Sequence, residues 1–377
     1  MSSRNVVQVG PAHAQAESRL MRLPRELRTI IYTFLFSSTR FTSGTRYIPR
    51  AAIIHFVPAP HGLALLLSCR RAYIEVGKSW VSQVHFCFED AKAMLDKLAD
   101  ISLDTRSMIR HVRVLGGPIL ICYRREAAVW HTYQLLKLLP GLKLDRLTVC
   151  DIDEAQTSYD AVSRLVKYSD GWKELHYKSH ASRFIGFVPA RLNELNENAG
   201  EQRLFREPQP GGWQQKLEDR DGSSSEASVT IYRSDIPRPN YSTPYRSRAG
   251  KWIKFTQALA PDQDIGDYQK VKDPQLMDRS EMDKEVLVVV KRGRGVDYEE
   301  KQGSPYLNAG DGDIRERFPG KTWVEIKASK DIFRYLSAGV VYPDRYQWKE
   351  RHLDFVDHYT HVDDYVWSHT SVFRGAD

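Results

Sequence analysis

The segment RLMRLPRELRTIIYTFLF, Arg19 to Phe36, is the part of the sequence that says most about the fold. Its apolar side chains recur at intervals of three and four residues, which is the spacing of one helix face. They are Leu20, Leu23, Leu27, Ile30, Ile31, Phe34 and Leu35. Pro24 suits the start of the helix, because the first helical N–H has no partner in any case. We expect this face to be buried, with Arg25, Glu26 and Arg28 in solvent.

A second helical segment is predicted from Gly62 to Gln83. The side chains that can share its buried stripe are Leu63, Leu66, Leu67, Tyr73, Ile74 and Trp80, and those of its polar face are Arg70, Arg71, Glu75 and Lys78. Residues 37–62 mix β-branched and aromatic residues with Gly, Thr and Pro, which predicts a loop or hairpin with one or two short strands. Cys69 is expected to be a small buried residue between the two helices.

Both helical segments carry a family resemblance. Leu20 to Tyr32 matches the pattern L-x-x-L-P-x-E-[LI]-R-x-x-I-Y, and Leu65 to Glu75 matches L-L-x-x-C-R-x-x-Y-x-E. Together they resemble the F-box-like domain that recurs in fungal proteins. The chain departs from the general F-box in its longer insert between the helices and in lacking a Trp close behind Cys69-Arg70.

The resemblance implies a protein-interaction module, and specifically a substrate adaptor of a cullin-type ubiquitin ligase. The expected partners are a Skp-family adaptor protein and an unknown target protein that the C-terminal part would hold. The adaptor would be bound in a helix-in-groove mode by Leu23, Pro24, Leu27, Ile30 and Ile31. The same side chains would also fill a core, so an F-box-like fold kept only as a structural element stays open.

Composition limits the size, charge and cellular compartment that we expect for this protein. The chain has 377 residues, 41% of them hydrophobic, which is enough for two or three substructures. Its net charge of +7 comes from the first 200 residues, a basic excess that would suit an acidic partner or nucleic acid. The four cysteines form no C-x-x-C pair, which favours a reducing compartment, and no run approaches the ~20 apolar residues of a membrane span. We expect a cytoplasmic or nuclear protein.

Beyond Val84, predicted strands and helices alternate. The predicted strands are 84–88, 111–115, 146–150 and 174–177, and the predicted helices are 89–99, 126–139 and 160–168. Strand centres about thirty residues apart are typical of βα units. The fold class expected is therefore α+β with an α/β layer, either an irregular leucine-rich-repeat-like stack or an open sheet.

Five regions are predicted in all. They are a tail at 1–18, the F-box-like helical unit at 19–83, the α/β layer at 84–195, a linker at 196–250 and a β-rich region with an aromatic tail at 251–377. The linker contains one expected strand, at 228–234. In the last region we expect strands at 252–255, 285–290 and 322–327 and a short helix at 331–336.

Three residue sets raise the alternative of a nucleic-acid-binding or metal-dependent nuclease-like protein. The first is Asp311, Asp313, Glu325 and Lys327, an acidic pair upstream of E-x-K on a predicted strand. The second comprises His352, His358, His361 and His369 with nearby aspartates, and the third is the basic segment Lys291 to Arg294. Each is explained as well by a solvated polar surface. We therefore predict no catalytic residues, no metal, no cofactor and no enzymatic activity.

Overall fold

The computed structural model describes residues 18–43, 45–46, 54–55, 63–68, 70–123, 126–150, 155–179, 181–185, 209–237, 251–257, 279–282, 284–308, 310, 312–329 and 332–337. Several predictions lie outside these residues: the tail at 1–17, Cys69, Asp311, the His352 to His369 cluster and the aromatic tail. Among the described residues, no helix combines the length and apolar character that crossing a membrane requires.

The N-terminal helical unit contains the two predicted helical segments in shorter pieces. They are α1 (Arg19–Arg22), α2 (Arg25–Ser38), α3 (Ala64–Ser68), α4 (Arg70–Val76) and α5 (Trp80–Gln83). Pro24 is the N-cap of α2 rather than its first residue. Gly77, with φ +53°, follows α4 and begins the turn into α5, a backbone conformation that glycine adopts without steric cost.

Three short strands lie between these helices: β1 (Arg40–Ser43), β2 (Thr45–Arg46) and β3 (Ile54–His55). The last two pair antiparallel, within the insert where a loop or hairpin with short strands was predicted. The first, β1, joins the main sheet by pairing in parallel with β4 (His85–Phe88). The helical unit is thus linked to the body through one edge of the sheet.

The body is built on an eight-stranded, mostly parallel sheet in the order β1-β4-β5-β8-β9-β12-β10-β11. Its central strands are β5 (His111–Leu115), β8 (Leu144–Cys150) and β9 (Trp172–Ser179), and all strands from β1 to β9 in this order are parallel. The remaining strands, β12 (Lys284–Lys291), β10 (Ser228–Pro237) and β11 (Trp252–Phe255), pair antiparallel. Strands from both sides of the predicted 196–250 linker therefore belong to one sheet.

Helices alternate with these strands, and α6 and α9 coincide with the predicted helices at 89–99 and 160–168. They are α6 (Ala91–Leu98), α7 (Leu103–Met108), α8 (Thr132–Leu135), α9 (Ala155–Tyr168), α10 (Gly211–Asp221) and α11 (Arg279–Met282). In β5 the alternate residues Val112 and Val114 are buried and the residues between them lie on the opposite face, whereas β8 and β12 bury runs of consecutive residues. The coarse prediction of a mixed α/β architecture is confirmed, and the sheet is open and mixed.

A second sheet and two short helices complete the described structure. The sheet has the order β13-β6-β7 and consists of β6 (Ile119–Tyr123), β7 (Glu126–Trp130) and β13 (Ile332–Ser337). The helices are α12 (Ile314–Arg317) and α13 (Trp323–Ala328). This sheet joins two parts of the chain that are far apart in sequence, because β13 pairs antiparallel with β6.

Four local predictions are wrong. The expected helix at 126–139 begins with strand β7, because this segment pairs antiparallel with β6 and only later turns helical at α8. The expected strand at 322–327 is helix α13, because Thr322 and Glu325 form a capping box that begins a helix there. The expected helix at 331–336 is strand β13. The predicted linker contains helix α10, where Trp213 and Leu217 are fully buried.

Candidate docking surface

The orientation of α2 is set by three side chains spaced four residues apart. Arg28, Tyr32 and Phe36 are buried, and they lie on one side of the helix because residues four apart are neighbours on its surface. They face a small apolar cluster that contains Met21 of α1 together with Leu66, Ala72 and Val76 of α3 and α4. This cluster is separate from the main core of the body.

Arg28 is held inside by Glu75 of α4. Its Nη2 lies 2.5 Å from Glu75 Oε1 and its Nε lies 2.9 Å from Oε2, a bidentate ion pair. The Tyr32 hydroxyl donates to Oε2 at 3.3 Å, and Arg71 Nε donates to Oε1 at 3.0 Å. The hydrogen bond from Arg28 is the main reason that the pKa of Glu75 falls to about 2. The carboxylate is therefore charged at every physiological pH.

The opposite side of α2 consequently faces solvent. Its exposed fractions are 47% for Leu27, 51% for Ile30, 40% for Ile31, 72% for Phe34 and 39% for Leu35. The predicted burial of this apolar face is wrong, and so is the predicted exposure of Arg28. The physical reason is that the Arg28–Glu75 pair and the aromatic rings of Tyr32 and Phe36 take the inner positions.

The five residues predicted to bind an adaptor lie on or beside this exposed face. Leu27, Ile30 and Ile31 are exposed on α2, Pro24 is exposed at its N-cap, and Leu23 is half-buried just before it. We call the side chains of Leu27, Ile30, Ile31, Phe34 and Leu35 the α2 apolar face. Phe34 and Leu35 extend the predicted set by one helical turn, and their i+7 and i+8 spacing from Leu27 was visible in the sequence.

Helix α4 contributes two further exposed apolar side chains, Tyr73 at 59% and Ile74 at 65%. Both were predicted to be buried, and that prediction is wrong because Ala72 and Val76 take the inner positions of α4. Glu75, half-buried on the same helix, forms the ion pair that joins α4 to α2. Sequence reasoning did not predict the ion pair between Arg28 of α2 and Glu75 of α4, because the two residues lie in different helices.

The residues of the nuclease alternative have structural roles where the structure describes them. Asp313 caps α12 and accepts hydrogen bonds from Arg315 and from the backbone N–H of Leu307. Glu325 closes the capping box with Thr322, and Lys327 binds Asp96 Oδ1 at 2.7 Å. No group of three or more His, Cys, Asp or Glu in the described parts of the chain is placed to hold a metal ion.

The basic segment at 291–294 is only partly a solvated turn. Arg292 is buried, pairs with Asp221 at 2.8 Å and lies over the ring of Trp172. Arg294 is exposed and pairs with Glu226. The segment therefore fastens the end of β12 to α10.

One feature without a counterpart in the sequence predictions is the polar face of the parallel sheet. On this face the rings of His85 and His111 stack with centroids 4.9 Å apart, and Arg113 Nε donates to Cys150 Sγ at 3.2 Å. Burial lowers the pKa of Lys178, beside Cys150 in register, to about 8. The alternation H-V-R-V-L in β5 was the available signal, since it places polar residues on one face.

Comparison with known proteins adds no family. A scan against models of protein families, a search of curated proteins and a search of solved structures each returned no match.

Proposed function

We propose that this protein is an interaction module that binds a Skp-family adaptor of a cullin-type ubiquitin ligase through the α2 apolar face. The observation that supports the proposal is the exposure of Leu27, Ile30, Ile31, Phe34 and Leu35 on one side of one helix. Contiguous apolar patches of this kind commonly mark interaction sites in soluble proteins. The finer fold assignment, an F-box-like arrangement of the N-terminal helices, is part of this proposal.

The energetics favour a partner over solvent. Burying a large aliphatic or aromatic side chain contributes about 1.5–3 kcal/mol, so covering several of them offsets much of the entropy lost on association. An amphipathic helix that lays its apolar face into a groove uses anchors at i, i+3, i+4 and i+7. Leu27, Ile30, Ile31 and Phe34 have this spacing.

The buried ion pair would prepare the surface for binding. Arg28 and Glu75 fix the rotation of α2, so its apolar face is already presented before a partner arrives. Preorganisation of this kind reduces the ordering cost of association. Under this proposal no residue performs chemistry, and the body would hold the target protein.

Co-expression with the Skp-family adaptor, followed by gel filtration, tests the proposal. We expect the wild-type chain to elute in a stable complex and the variant Leu27→Asp/Ile31→Asp to elute alone, because two carboxylates would enter an apolar interface. The matched control is Thr29→Asp/Thr33→Asp, which adds the same charges to exposed positions of the same helix. It should retain the complex.

Two results would count against the proposal. A folded wild-type protein that forms no complex would reduce α2 to a structural element or assign it another partner. A complex that survives in Leu27→Asp/Ile31→Asp would locate adaptor binding elsewhere on the chain. Circular dichroism of each variant separates loss of binding from loss of folding.

A further inference from the structure

The polar face of the parallel sheet carries many charged side chains. Cross-strand partners project from the same face of a sheet, so the pairing register shows which residues share it. Followed from β1 to β11, the register and the alternation along each strand assign these cations to the polar face: Arg40, Arg113, Arg146, Lys178, Lys254 and Lys291. The carboxylates on the same side are Glu174, Glu285 and, just past β4, Glu89. Cations therefore outnumber carboxylates on this face.

The charges on this face are close together. Glu174 bonds His176 and also lies 3.7 Å from Arg146, so one carboxylate serves two neighbours. Burial is the main reason that the pKa of Lys178 falls to about 8, and Arg113 and Arg146 lower it further. Positive charge is thus crowded around the centre of the face, where a negative group would be stabilised.

The polar face also contains buried apolar side chains that lie outside the described core. They are Cys87, Cys150, Leu287 and Val289, which the same register places on this side. Among the described residues they belong to neither apolar cluster, whereas Val112 and Leu147 on the opposite face are part of the main core. Parallel sheets are as a rule covered on both faces. A cover for this face has to offer apolar groups and negative charge together.

We infer that residues 352–369, HLDFVDHYTHVDDYVWSH, cover the polar face of the parallel sheet. The segment combines four aspartates with aromatic and aliphatic residues, and it contains no lysine or arginine: its aspartates are Asp354, Asp357, Asp363 and Asp364. The longer segments outside the described residues at 186–208, 238–250 and 258–278 each contain lysine or arginine. The inference goes beyond the proposed function and does not rest on it, because it involves neither α2 nor an adaptor.

The point at which this part of the chain leaves the body lies within reach of the face. Strand β13 ends at Ser337, which is paired with Ile119 of β6. Ile119 follows Leu115, the last residue of β5, by four residues, a distance of at most about 14 Å. Residues 338–351 can span about 46 Å when extended. An eight-stranded sheet is about 34 Å wide, so the segment can reach every strand.

The thiols of Cys87 and Cys150 report whether the face is covered, and Cys122 of β6 is the internal control. Alkylation by iodoacetamide, followed for each cysteine by mass spectrometry, should be slow for the first two in the wild-type chain. The segment variant is Asp354→Lys/Asp357→Lys/Asp363→Lys/Asp364→Lys. In it both rates should rise about tenfold, because several ion pairs that are weak singly are replaced by repulsions. The rate of Cys122 should not change.

A matched control makes the same change of charge at exposed aspartates of the body. It is Asp100→Lys/Asp104→Lys/Asp145→Lys/Asp219→Lys. Its Cys87 and Cys150 should stay as slow as in the wild type. Circular dichroism of each variant verifies that the body is folded.

Charge exchange supplies the decisive comparison. Lys178→Glu/Lys291→Glu places carboxylates on the face, and by itself it should also speed the alkylation of Cys87. Combined with the segment variant, it should return the rate towards that of the wild type, since opposite charges face each other again. Cys87 is the reporter here because Cys150 is the cross-strand partner of Lys178. Failure of the combined variant to slow alkylation would contradict the inference.

Zero-length carbodiimide cross-linking of the wild-type chain identifies the covering segment directly. We expect amide bonds between the aspartates of 352–369 and Lys178 or Lys291, and none to Lys97 and Lys167, which are exposed on α6 and α9. Cross-links from the face to 186–208 or 258–278, cross-links between differently labelled copies of the chain, or unchanged alkylation in the segment variant would each overturn the inference. The adaptor complex is measured separately by gel filtration, so either proposal can fail without the other.

Discussion

In the body of the protein, α6 buries Met94, Leu95 and Leu98 against the sheet, whereas α2 of the helical unit leaves Leu27 and Phe34 in solvent. Both helices are amphipathic in sequence. The difference is that α6 packs on β4 and β5, which offer a wide apolar surface, whereas α2, among the described residues, packs on α5 and on the small cluster around Met21 and Val76. Periodicity indicates which residues share a face, and the neighbouring elements decide which face is turned inward.

Both regions also contain a buried ion pair, and the two pairs do different things. In the helical unit Arg28–Glu75 determines which side of α2 is exposed. In the body Lys137 and Glu300 are paired at 2.9 Å with side chains 2% and 0% exposed, and they join the 3-10 turn Leu136–Leu138, which follows α8, to the loop after β12. The Arg28–Glu75 pair fixes which side chains of α2 are exposed, and the Lys137–Glu300 pair connects segments of the core that are far apart in sequence.

The largest effect should follow from breaking the body pair. Glu300→Ala would leave Lys137 buried without its main counter-charge, and removing one member of such a pair costs about 3–5 kcal/mol of unfolding free energy. Urea unfolding followed by tryptophan fluorescence measures it. The control is the adjacent Glu299→Ala, whose pair with Lys143 is more than a third exposed and should contribute under about 1 kcal/mol. Equal losses in the two variants would contradict the assigned core role.

A pair of phenylalanines on α2 tests the orientation of that helix directly. Phe36 is fully buried and Phe34 is 72% exposed. Phe36→Ala should cost about 3 kcal/mol through lost burial and cavity formation, whereas Phe34→Ala should stay within about 0.5 kcal/mol. Local unfolding of the small helical unit can go undetected by a probe of global unfolding. The measurement is therefore hydrogen exchange of peptides from α2. A larger stability loss for Phe34→Ala than for Phe36→Ala would contradict this orientation of α2 and support the buried apolar face predicted from the sequence.

Much of the sheet could be predicted from sequence because its strands carry a local signal. The runs at 111–115, 146–150, 174–177 and 285–290 are β-branched or alternating, and each is a strand of the main sheet. The segment 322–327 alternates in the same way and is nevertheless helical. Trp323 Nε1 and Lys327 Nζ, one helical turn apart, both bind Asp96 Oδ1 at 2.7 Å, a contact with a residue far away in sequence.

The sequence grouped the side chains of the α2 apolar face and did not show that this face is turned towards solvent. The resemblance implied Leu27, Ile30 and Ile31 as adaptor-binding residues and their spacing placed them on one helix face, which is exposed in the structure. What the spacing could not show is that Glu75, in another helix, would draw Arg28 inward. A buried arginine looks like a solvated one in sequence, since only its partner distinguishes the two.

The smallest predicted effects concern pH, and they occur in different ranges in the two regions. Glu75 has its pKa lowered from 4.5 to about 2, mainly by Arg28, so its stabilisation is complete above pH 4.5 and is lost as pH falls towards 2. His131, which precedes α8, has its pKa lowered from 6.5 to about 4, mainly by burial and secondarily by Arg164. The unfolded chain binds this proton first, so stability falls as pH drops from 6.5 towards 4.

We therefore expect His131→Asn to flatten the loss of thermal stability between pH 6.5 and 4, and Glu75→Gln to flatten it only between pH 4.5 and 2. Each change should amount to about 1–2 kcal/mol, less than the full shift because both side chains retain some solvent contact. Global unfolding reports His131, and hydrogen exchange of α2 reports Glu75. Flattening outside its own pH range in either variant, or no flattening at all, would contradict the assignment of that titration to Glu75 or His131.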